Sequence, residues 1–447
     1  MSGKATRIEL FQWRTPQMRA FHLSWLAFFV CFFAWFAVAP MMPLVRQELG
    51  LTADQVANIT IAAVAVTVFG RLLVGPLCDL LGPRKTYAGL LLLGSIPVFG
   101  MALVQGYASF LLARMAIGLV GAGFVITQYH TSVMFAPNVV GTANATTAGW
   151  GNAGGGAAQA VMPMVLAGLL ALGVGDALGW RVAMLLPGVL MVIVGLLYVR
   201  FTQDCPAGNY RQLRAQGVAV GSGKQSGWAA FQRAAGNYRV WMLFVTYAGS
   251  FGVELFVHGV ATAYYVDRFG LGLRDAGLAV GAFGLLALFA RALGGITSDR
   301  LARGQGLPSR ARLLCALMLC EGIGLLWFSN AQGAGMAVTA MLAFGLFTHM
   351  ACGATYALVP FIDRKALGGV AGIVGAGGNV GAVAAGFLQK FTGSVQHTFM
   401  ALGGFVIAGS LCALALRFSH EQVAEEERRY QEALQQGSAA APALAID

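Results

Sequence analysis

Five ionisable side chains other than histidines lie inside long apolar stretches of this sequence, and their chemistry stands out first. They are Arg71, Arg114, Glu254, Arg291 and Glu321. A charged group in hydrocarbon is costly, so such residues face a protein interior or an aqueous route and mark pathways for substrates or ions. Arginines in this setting can bind an anion, whereas carboxyl groups can carry a proton.

Arg71 and Arg291 occupy equivalent places in an internal repeat. Residues 71–79 read RLLVGPLCD and residues 291–299 read RALGGITSD. Each arginine thus has a glycine four positions later and an aspartate eight positions later. A guanidinium group stays charged and donates two parallel hydrogen bonds to two oxygens of a planar oxyanion. We therefore predict a small-anion site between them. The alternative is a structural role at the inner helix ends.

Carboxyl and imidazole groups supply candidates for proton coupling. Glu254 lies in FGVELFVHG, and a carboxyl group removed from water favours its neutral form and can carry a proton. The other coupling candidates, each with a structural role as its alternative, are Glu321 in LCEGIG, Arg114 in RMAIG, and His258. His130 and His349 also lie in apolar runs, where they either shuttle protons or serve as hydrogen-bonded core residues.

The elements that hold these residues are predicted to be membrane helices. The 447 residues are 57% hydrophobic and 11% charged, with mean hydropathy +0.70, whereas a soluble domain carries about 25% charged residues. Apolar runs of about 20 residues, the length that crosses a bilayer, recur along the chain. We predict twelve helices, near 21–45, 54–78, 86–104, 107–135, 144–173, 181–200, 239–266, 275–297, 312–329, 333–360, 368–390 and 397–417.

The predicted fold is an all-α polytopic membrane protein with two pseudo-symmetric six-helix bundles. The bundles comprise residues 21–200 and 239–417, flanked by an N-terminal segment 1–20, a polar linker 201–238 and a tail 418–447. Ala-Val-Ala at 37–39 is similar to a signal peptidase site, but Pro40 follows at once, which favours an uncleaved first span.

The net charge of +11 is explained by its distribution. With both termini inside, 21 of the 29 Lys and Arg residues lie on the cytoplasmic side, five on the outer side and three within spans. This bias follows the positive-inside rule, so the basic balance needs no nucleic-acid partner. The sequence thus predicts a multi-pass protein of the cytoplasmic membrane, with the lipid bilayer as its surroundings.

Two glycine-rich segments repeat in the fifth helix of each half. AGWGNAGGG covers 148–156, and GAGGNVGA covers 375–382. Small residues at helical spacing let neighbouring backbones approach closely, and repeats of this kind place a transporter's site at their interface. The signature glycines are Gly149, Gly151, Gly154, Gly155, Gly375, Gly377, Gly378 and Gly381.

The loop after the second helix, GPLCDLLGPRK, resembles a loop motif of the major facilitator superfamily. The matching residues are Gly75, Asp79, Gly82, Arg84 and Lys85. Its counterpart in the second half, GGITSDRLARG, keeps Asp299 but is degenerate. RMAIG also resembles that superfamily's fourth-helix motif. The resemblance implies the two-bundle fold and a loop that takes part in gating.

The two glycine segments resemble the paired signatures of the nitrate/nitrite porter family. Two other stretches, QDCPAGNYRQLR and YAGSFGVEL, also resemble that family. The resemblance implies that Arg71 and Arg291 clamp nitrate. By the same resemblance, the remaining substrate-site residues are Asn152, Phe124 and Phe251 on either side of the anion plane, Tyr247, and Asn379 as the repeat mate of Asn152.

The resulting prediction is a secondary active transporter, assimilatory in type, that imports nitrate and also nitrite by alternating access with protons as the coupling ion. Inward movement of an anion is opposed by roughly 2.3 kcal/mol per 100 mV. Nitrate/nitrite exchange is the alternative; further alternatives are an exporter of other anions or drugs and a nitrate sensor. We expect a monomer that is not an enzyme and has no metal or cofactor.

Overall fold

The computed structural model describes residues 3–136, 139–218, 227–363 and 366–419, together with residues 421, 423, 424 and 428. Within this part of the chain, twelve segments are long and apolar enough to cross a membrane, which confirms the prediction. We number them α1–α12 and refer to shorter helices by their residues. The tail segment EEERRY at 425–430, for which the sequence predicts a short helix, lies largely outside the described residues.

The first half contains α1 (Pro16–Phe36), α2 (Ala53–Leu81), α3 (Pro83–Gly100), α4 (Tyr107–Gly118 and Gly123–Met134), α5 (Val140–Ala171) and α6 (Asp176–Ala183 and Leu185–Phe201). The second half contains α7 (Tyr238–Phe269), α8 (Leu273–Leu285 and Ala287–Gln305), α9 (Pro308–Ser329), α10 (Ala334–Leu358), α11 (Leu367–Thr392) and α12 (Val395–Leu414). Short helices occur at Met42–Glu48, Tyr210–Ala215 and Gly227–Ala235.

Local sequence fixes where the helix that carries Arg71 begins and ends. Thr52 accepts a hydrogen bond from the Gln55 backbone N–H while the Gln55 side chain accepts one from the Thr52 backbone N–H, which forms a capping box. The helix ends at Leu81 because Gly82 adopts φ +86°, a conformation that favours glycine. Helix α2 therefore extends beyond the predicted residue 78, and α3 begins at Pro83.

The glycine-rich helices connect the two halves. Helix α5 packs on α1 of its own half and on α8 of the other, while α11 packs on α7 of its own half and on α2 of the other. A Cβ atom at Gly154 would overlap the Phe29 carbonyl, and one at Gly381 would overlap the Ala248 carbonyl. The glycines thus allow close backbone contact in lipid-embedded helices at equivalent places in each half.

Polar contacts join the two halves on the side that is predicted to face outward. Arg46 forms two hydrogen bonds of 3.0 Å with the Asp267 carboxylate. Lys390 lies 2.9 Å from Asp54 and 2.9 Å from the Asn58 side-chain oxygen. These pairs connect the two halves on the side where α1 ends and α2 begins.

Candidate anion site

Arg71 and Arg291 converge on one aromatic ring at the interface between the halves. The guanidinium carbon of Arg71 lies 6.0 Å from the centroid of Phe251, and that of Arg291 lies 5.3 Å from it. Arg71 also lies 5.4 Å from the centroid of Phe124. The repeated sequence positions on α2 and α8 therefore bring two guanidinium groups and two predicted phenylalanines into one cluster.

Two tyrosines complete the aromatic wall. The Tyr247 ring stacks on Phe251 with centroids 5.1 Å apart and an interplanar angle of 18°. Tyr356, on α10, packs edge-on against Tyr247 at 5.1 Å and against Phe124 at 6.1 Å. The sequence did not single out Tyr356, since the surrounding ACGATYAL carries no repeat or motif that distinguishes it.

The two arginines have very different electrostatic partners. Arg291, 6% exposed, donates from Nη2 to Oε2 of the fully buried Glu254 at 2.5 Å. Nδ1 of His349 lies 3.4 Å from the same oxygen, and Sγ of Cys352 lies 3.9 Å from it. The second half thus contains a buried cluster in which the arginine is already paired with a carboxylate.

Arg71 lacks such a counter-charge among the described residues. Its Nη1 donates to the Gly375 backbone carbonyl at 3.0 Å, whereas its Nε and Nη2 are buried without a hydrogen-bond partner in the part of the chain described. Unpaired donors of a buried cation are unfavourable. An anion that accepts hydrogen bonds from these two nitrogens would therefore be stabilised at this place.

The signature helices face the arginine of the opposite half. A Cβ atom at Gly375 would lie 3.9 Å from Nη1 of Arg71, and one at Gly149 would lie 3.9 Å from Cβ of Arg291. A Cβ atom at Gly378 would overlap the Phe251 ring. These glycines therefore create the room that the arginines and the phenylalanine occupy.

The two predicted amides are buried on these same helices. Asn152 is 1% exposed and donates to the Ala148 carbonyl at 2.9 Å, which leaves its Oδ1 without a partner in the described structure. Asn379 is fully buried, and both polar atoms of its amide lack partners there. Asn379 is four residues from Gly375, hence on the same helix face.

The other coupling candidates lie in separate places. Arg114 donates from Nη1 to the Trp35 carbonyl at 2.6 Å and holds α4 against α1. His258 is buried between Phe36 and Phe283, with ring centroids 5.1 and 5.7 Å away, and its ring nitrogens lack described partners. Glu321 is buried in α9, where neither carboxyl oxygen has a described hydrogen-bond partner. Among these candidates, Glu254 alone pairs with one of the two arginines.

The predicted gating loop is anchored by a residue outside its motif. The carboxylate of Asp204, which follows α6, accepts hydrogen bonds from the backbone N–H groups of Arg84 at 3.0 Å and Tyr210 at 2.9 Å. A Cβ atom at Gly82 would overlap this carboxylate. Burial raises the pKa of Asp204, and the two N–H groups oppose that shift. Lys85 is exposed.

The degenerate counterpart of this loop, in the second half, has a side-chain ion pair instead of backbone hydrogen bonds to a buried carboxylate. Asp299 pairs with Arg310, at the start of α9, at 2.6 Å, and Arg310 also donates to Ser298 at 3.1 Å. Asp299 is 58% exposed. Gly75 has open space around its Cβ position, and the Asp79 side chain lies outside what the structure describes.

Comparisons with known proteins match most of the chain. The model of the Major Facilitator Superfamily matches residues 24–362. A high-affinity nitrate transporter of Oryza sativa subsp. japonica is 40% identical over 385 residues, which cover 85% of this chain and 73% of that protein. A nitrate/nitrite transporter of Nostoc punctiforme is 29% identical, with coverage of 90% and 92% respectively.

Solved structures show the same fold. A bacterial homolog of the human lysosomal transporter Spinster, in an inward-facing and unoccupied conformation, superposes with a TM-score of 0.69 at 14% identity. The match covers 91% of this chain and 99% of that chain.

Proposed function

The chain belongs to the nitrate/nitrite porter family of the major facilitator superfamily, and from that premise we propose that it imports nitrate, with nitrite as a second substrate. Transport proceeds by alternating access across the cytoplasmic membrane, in a monomer whose termini face the cytoplasm. The observation that carries the proposal is the pair of guanidinium groups from opposite halves on the single ring of Phe251.

The charges of this cluster suit one monovalent anion. With Glu254 ionised, Arg71, Arg291 and Glu254 together carry one net positive charge. An anion between the arginines neutralises it and supplies acceptors for the unpaired Nε and Nη2 of Arg71. Phe124 and Phe251 exclude water and fit a planar ion, and dry surroundings strengthen the electrostatic attraction.

Proton coupling follows from competition for Arg291. An anion that binds this guanidinium displaces Glu254 as its partner, and the buried carboxylate then gains from accepting a proton. His349, 3.4 Å away, provides a second proton acceptor. Because nitrate is negative, inward movement driven by the membrane potential needs at least two protons, and these two groups supply that number.

Nitrate/nitrite exchange is the second candidate, favoured by the completeness of the Arg291–Glu254 pair. If that pair stays intact throughout the cycle, Arg71 alone gains an anionic partner and no proton site is required. One anion then leaves as another enters.

Purified protein in liposomes separates these functions. We expect accumulation of 15N-nitrate driven by an inward proton gradient, with inward proton movement that depends on nitrate. Uptake that ignores the gradient but responds to trapped nitrite would replace symport by exchange. Chlorate and nitrite are expected to compete with nitrate, whereas competition by hydrophobic drugs would favour an exporter.

The arginine clamp has its own test in Arg71→Lys. Lysine keeps the charge but loses the planar fork, so nitrate affinity is expected to fall by about tenfold or more. Transport with unchanged affinity would overturn a bidentate contact.

A further inference from the structure

Tyr356 presents a buried hydrogen-bond donor beside Arg71. Its Oη makes no hydrogen bond of good geometry within the described part of the chain. A Cβ atom at Gly375 would lie 3.0 Å from this Oη and 3.9 Å from Nη1 of Arg71, so the phenol and the guanidinium flank one point. A phenol buried without a partner is costly unless a ligand satisfies it.

The position of Tyr356 is fixed by aromatic contacts with both halves. Its ring packs on Phe124 of α4 and on Tyr247 of α7. Tyr247 in turn stacks on Phe251, whose ring lies beside both guanidinium groups, so Tyr356 belongs to the same cluster as the two arginines. The absence of a side chain at Gly375 leaves the space that the Oη needs.

We infer that Tyr356 is a specificity-determining residue whose O–H donates to the third oxygen of nitrate, and that it favours nitrate over nitrite. The inference rests on the proposed nitrate transport and adds the basis of anion choice. Two guanidinium forks from opposite sides satisfy the oxygens that nitrate and nitrite share.

The physical basis is the number of acceptors in each anion. Nitrate has three oxygens in a plane, whereas nitrite has two. With nitrite bound, a donor set built for three oxygens leaves one buried donor unpaired, and sites of this kind discriminate strongly against an analogue that lacks a partner. Removing the phenol oxygen while keeping the ring should therefore affect nitrate far more than nitrite.

The direct test compares Tyr356→Phe with wild type in proteoliposomes, using 15N-nitrate and 15N-nitrite. The expected result is a rise in the nitrate KM of about tenfold or more, as for a hydrogen bond to a charged group, with a much smaller change for nitrite. Tyr264→Phe, at a buried tyrosine of α7 among Phe269, Phe328 and Phe399, is the matched control and should leave both KM values unchanged.

A double-mutant cycle tests the contact itself. Gly375→Ala places a Cβ 3.0 Å from the phenol oxygen, so it should weaken nitrate uptake in wild type and weaken it much less in Tyr356→Phe, where that oxygen is absent. Thermal melting of each purified variant shows whether the fold is retained.

Each outcome has a separate meaning. Equal shifts for nitrate and nitrite in Tyr356→Phe, or no shift in either, would overturn the specificity role while nitrate transport stands. If the effects of Gly375→Ala and Tyr356→Phe on nitrate uptake are additive, the contact between residues 375 and 356 is not the basis of the specificity. A wild-type protein that takes up no nitrate would overturn the proposed function, and this inference with it.

Discussion

Arg71 and Arg291 stand at equivalent positions of an internal repeat, yet their surroundings have diverged. Arg291 is paired with Glu254, which also contacts His349. Arg71 donates to a backbone carbonyl and has two unpaired nitrogens within the described structure. The repeat places the two cations alike, whereas only Arg291 has a carboxylate and an imidazole beside it within the described structure; we propose that Arg71 binds the anion and that the Glu254 cluster exchanges protons.

Neutral substitutions of the two arginines should separate these roles most strongly. Arg71→Met and Arg291→Met are both expected to abolish nitrate uptake. Arg291→Met should also destabilise the protein by about 3–5 kcal/mol, because it leaves the Glu254 carboxylate buried without its partner. Arg71→Met leaves no buried carboxylate behind and should not lower stability.

Thermal melting in detergent measures this difference. The double variant Arg291→Met with Glu254→Gln should recover most of the lost stability, since neither buried charge remains. Equal melting temperatures for the two single arginine variants would contradict the asymmetry.

Glu254→Gln sharpens the distinction between binding and coupling. The amide cannot carry a proton, so nitrate accumulation driven by a proton gradient should fall to background while nitrate/nitrite exchange continues. A pH-sensitive dye inside the vesicles reports proton entry. Glu321→Gln, at a buried carboxyl group of α9, is the matched control; proton entry that disappears in this variant but persists in Glu254→Gln would assign coupling to α9.

The glycine helices should respond alike in both halves. Gly154→Ala and Gly381→Ala each place a Cβ against a backbone carbonyl, of Phe29 and Ala248 respectively, and should destabilise by about 1–3 kcal/mol. The matched controls, Gly168→Ala and Gly372→Ala, have open space and should be neutral or slightly stabilising. If the melting temperatures of Gly154→Ala and Gly381→Ala equal those of their controls, close packing is not the role of these glycines.

The loops that contain Asp204 and Asp299 should show the smallest difference. Asp204→Asn removes one of two carboxylate acceptors for backbone N–H groups and should cost about 1–2 kcal/mol. Asp299→Asn weakens an exposed ion pair with Arg310 and should cost less than about 1 kcal/mol. Chemical denaturation at neutral pH measures the stability of the two variants. A larger loss of stability for Asp299→Asn than for Asp204→Asn would contradict the expected order.

The Asp204 contribution also has a definite pH dependence. Burial raises its folded-state pKa above the ordinary value of 3.8, so the folded protein holds this proton more tightly than the unfolded chain. Stability from this group is therefore highest below pH 3.8 and falls as the pH rises through the raised pKa. The Asp204→Asn variant should not show this fall in stability.

The sequence by itself determined the membrane class, the twelve helices and the repeated arginines. Apolar length and the positive-inside bias are one-dimensional properties of a chain in a bilayer, so they can be counted without a structure. The repeat that relates Arg71 to Arg291 is likewise visible in the spacing of residues along the chain. The family resemblance added Phe124, Tyr247 and Phe251 to the predicted site.

Tertiary structure alone decided which partners those residues meet. Glu254, Arg291 and His349 come from three helices, and no spacing in the sequence relates them. Tyr356 joins the aromatic wall because α10 carries its ring between Phe124 and Tyr247, which lie in opposite halves. Lipid imposes helices on the chain through backbone hydrogen bonding, but pairing of buried side chains depends on how those helices pack.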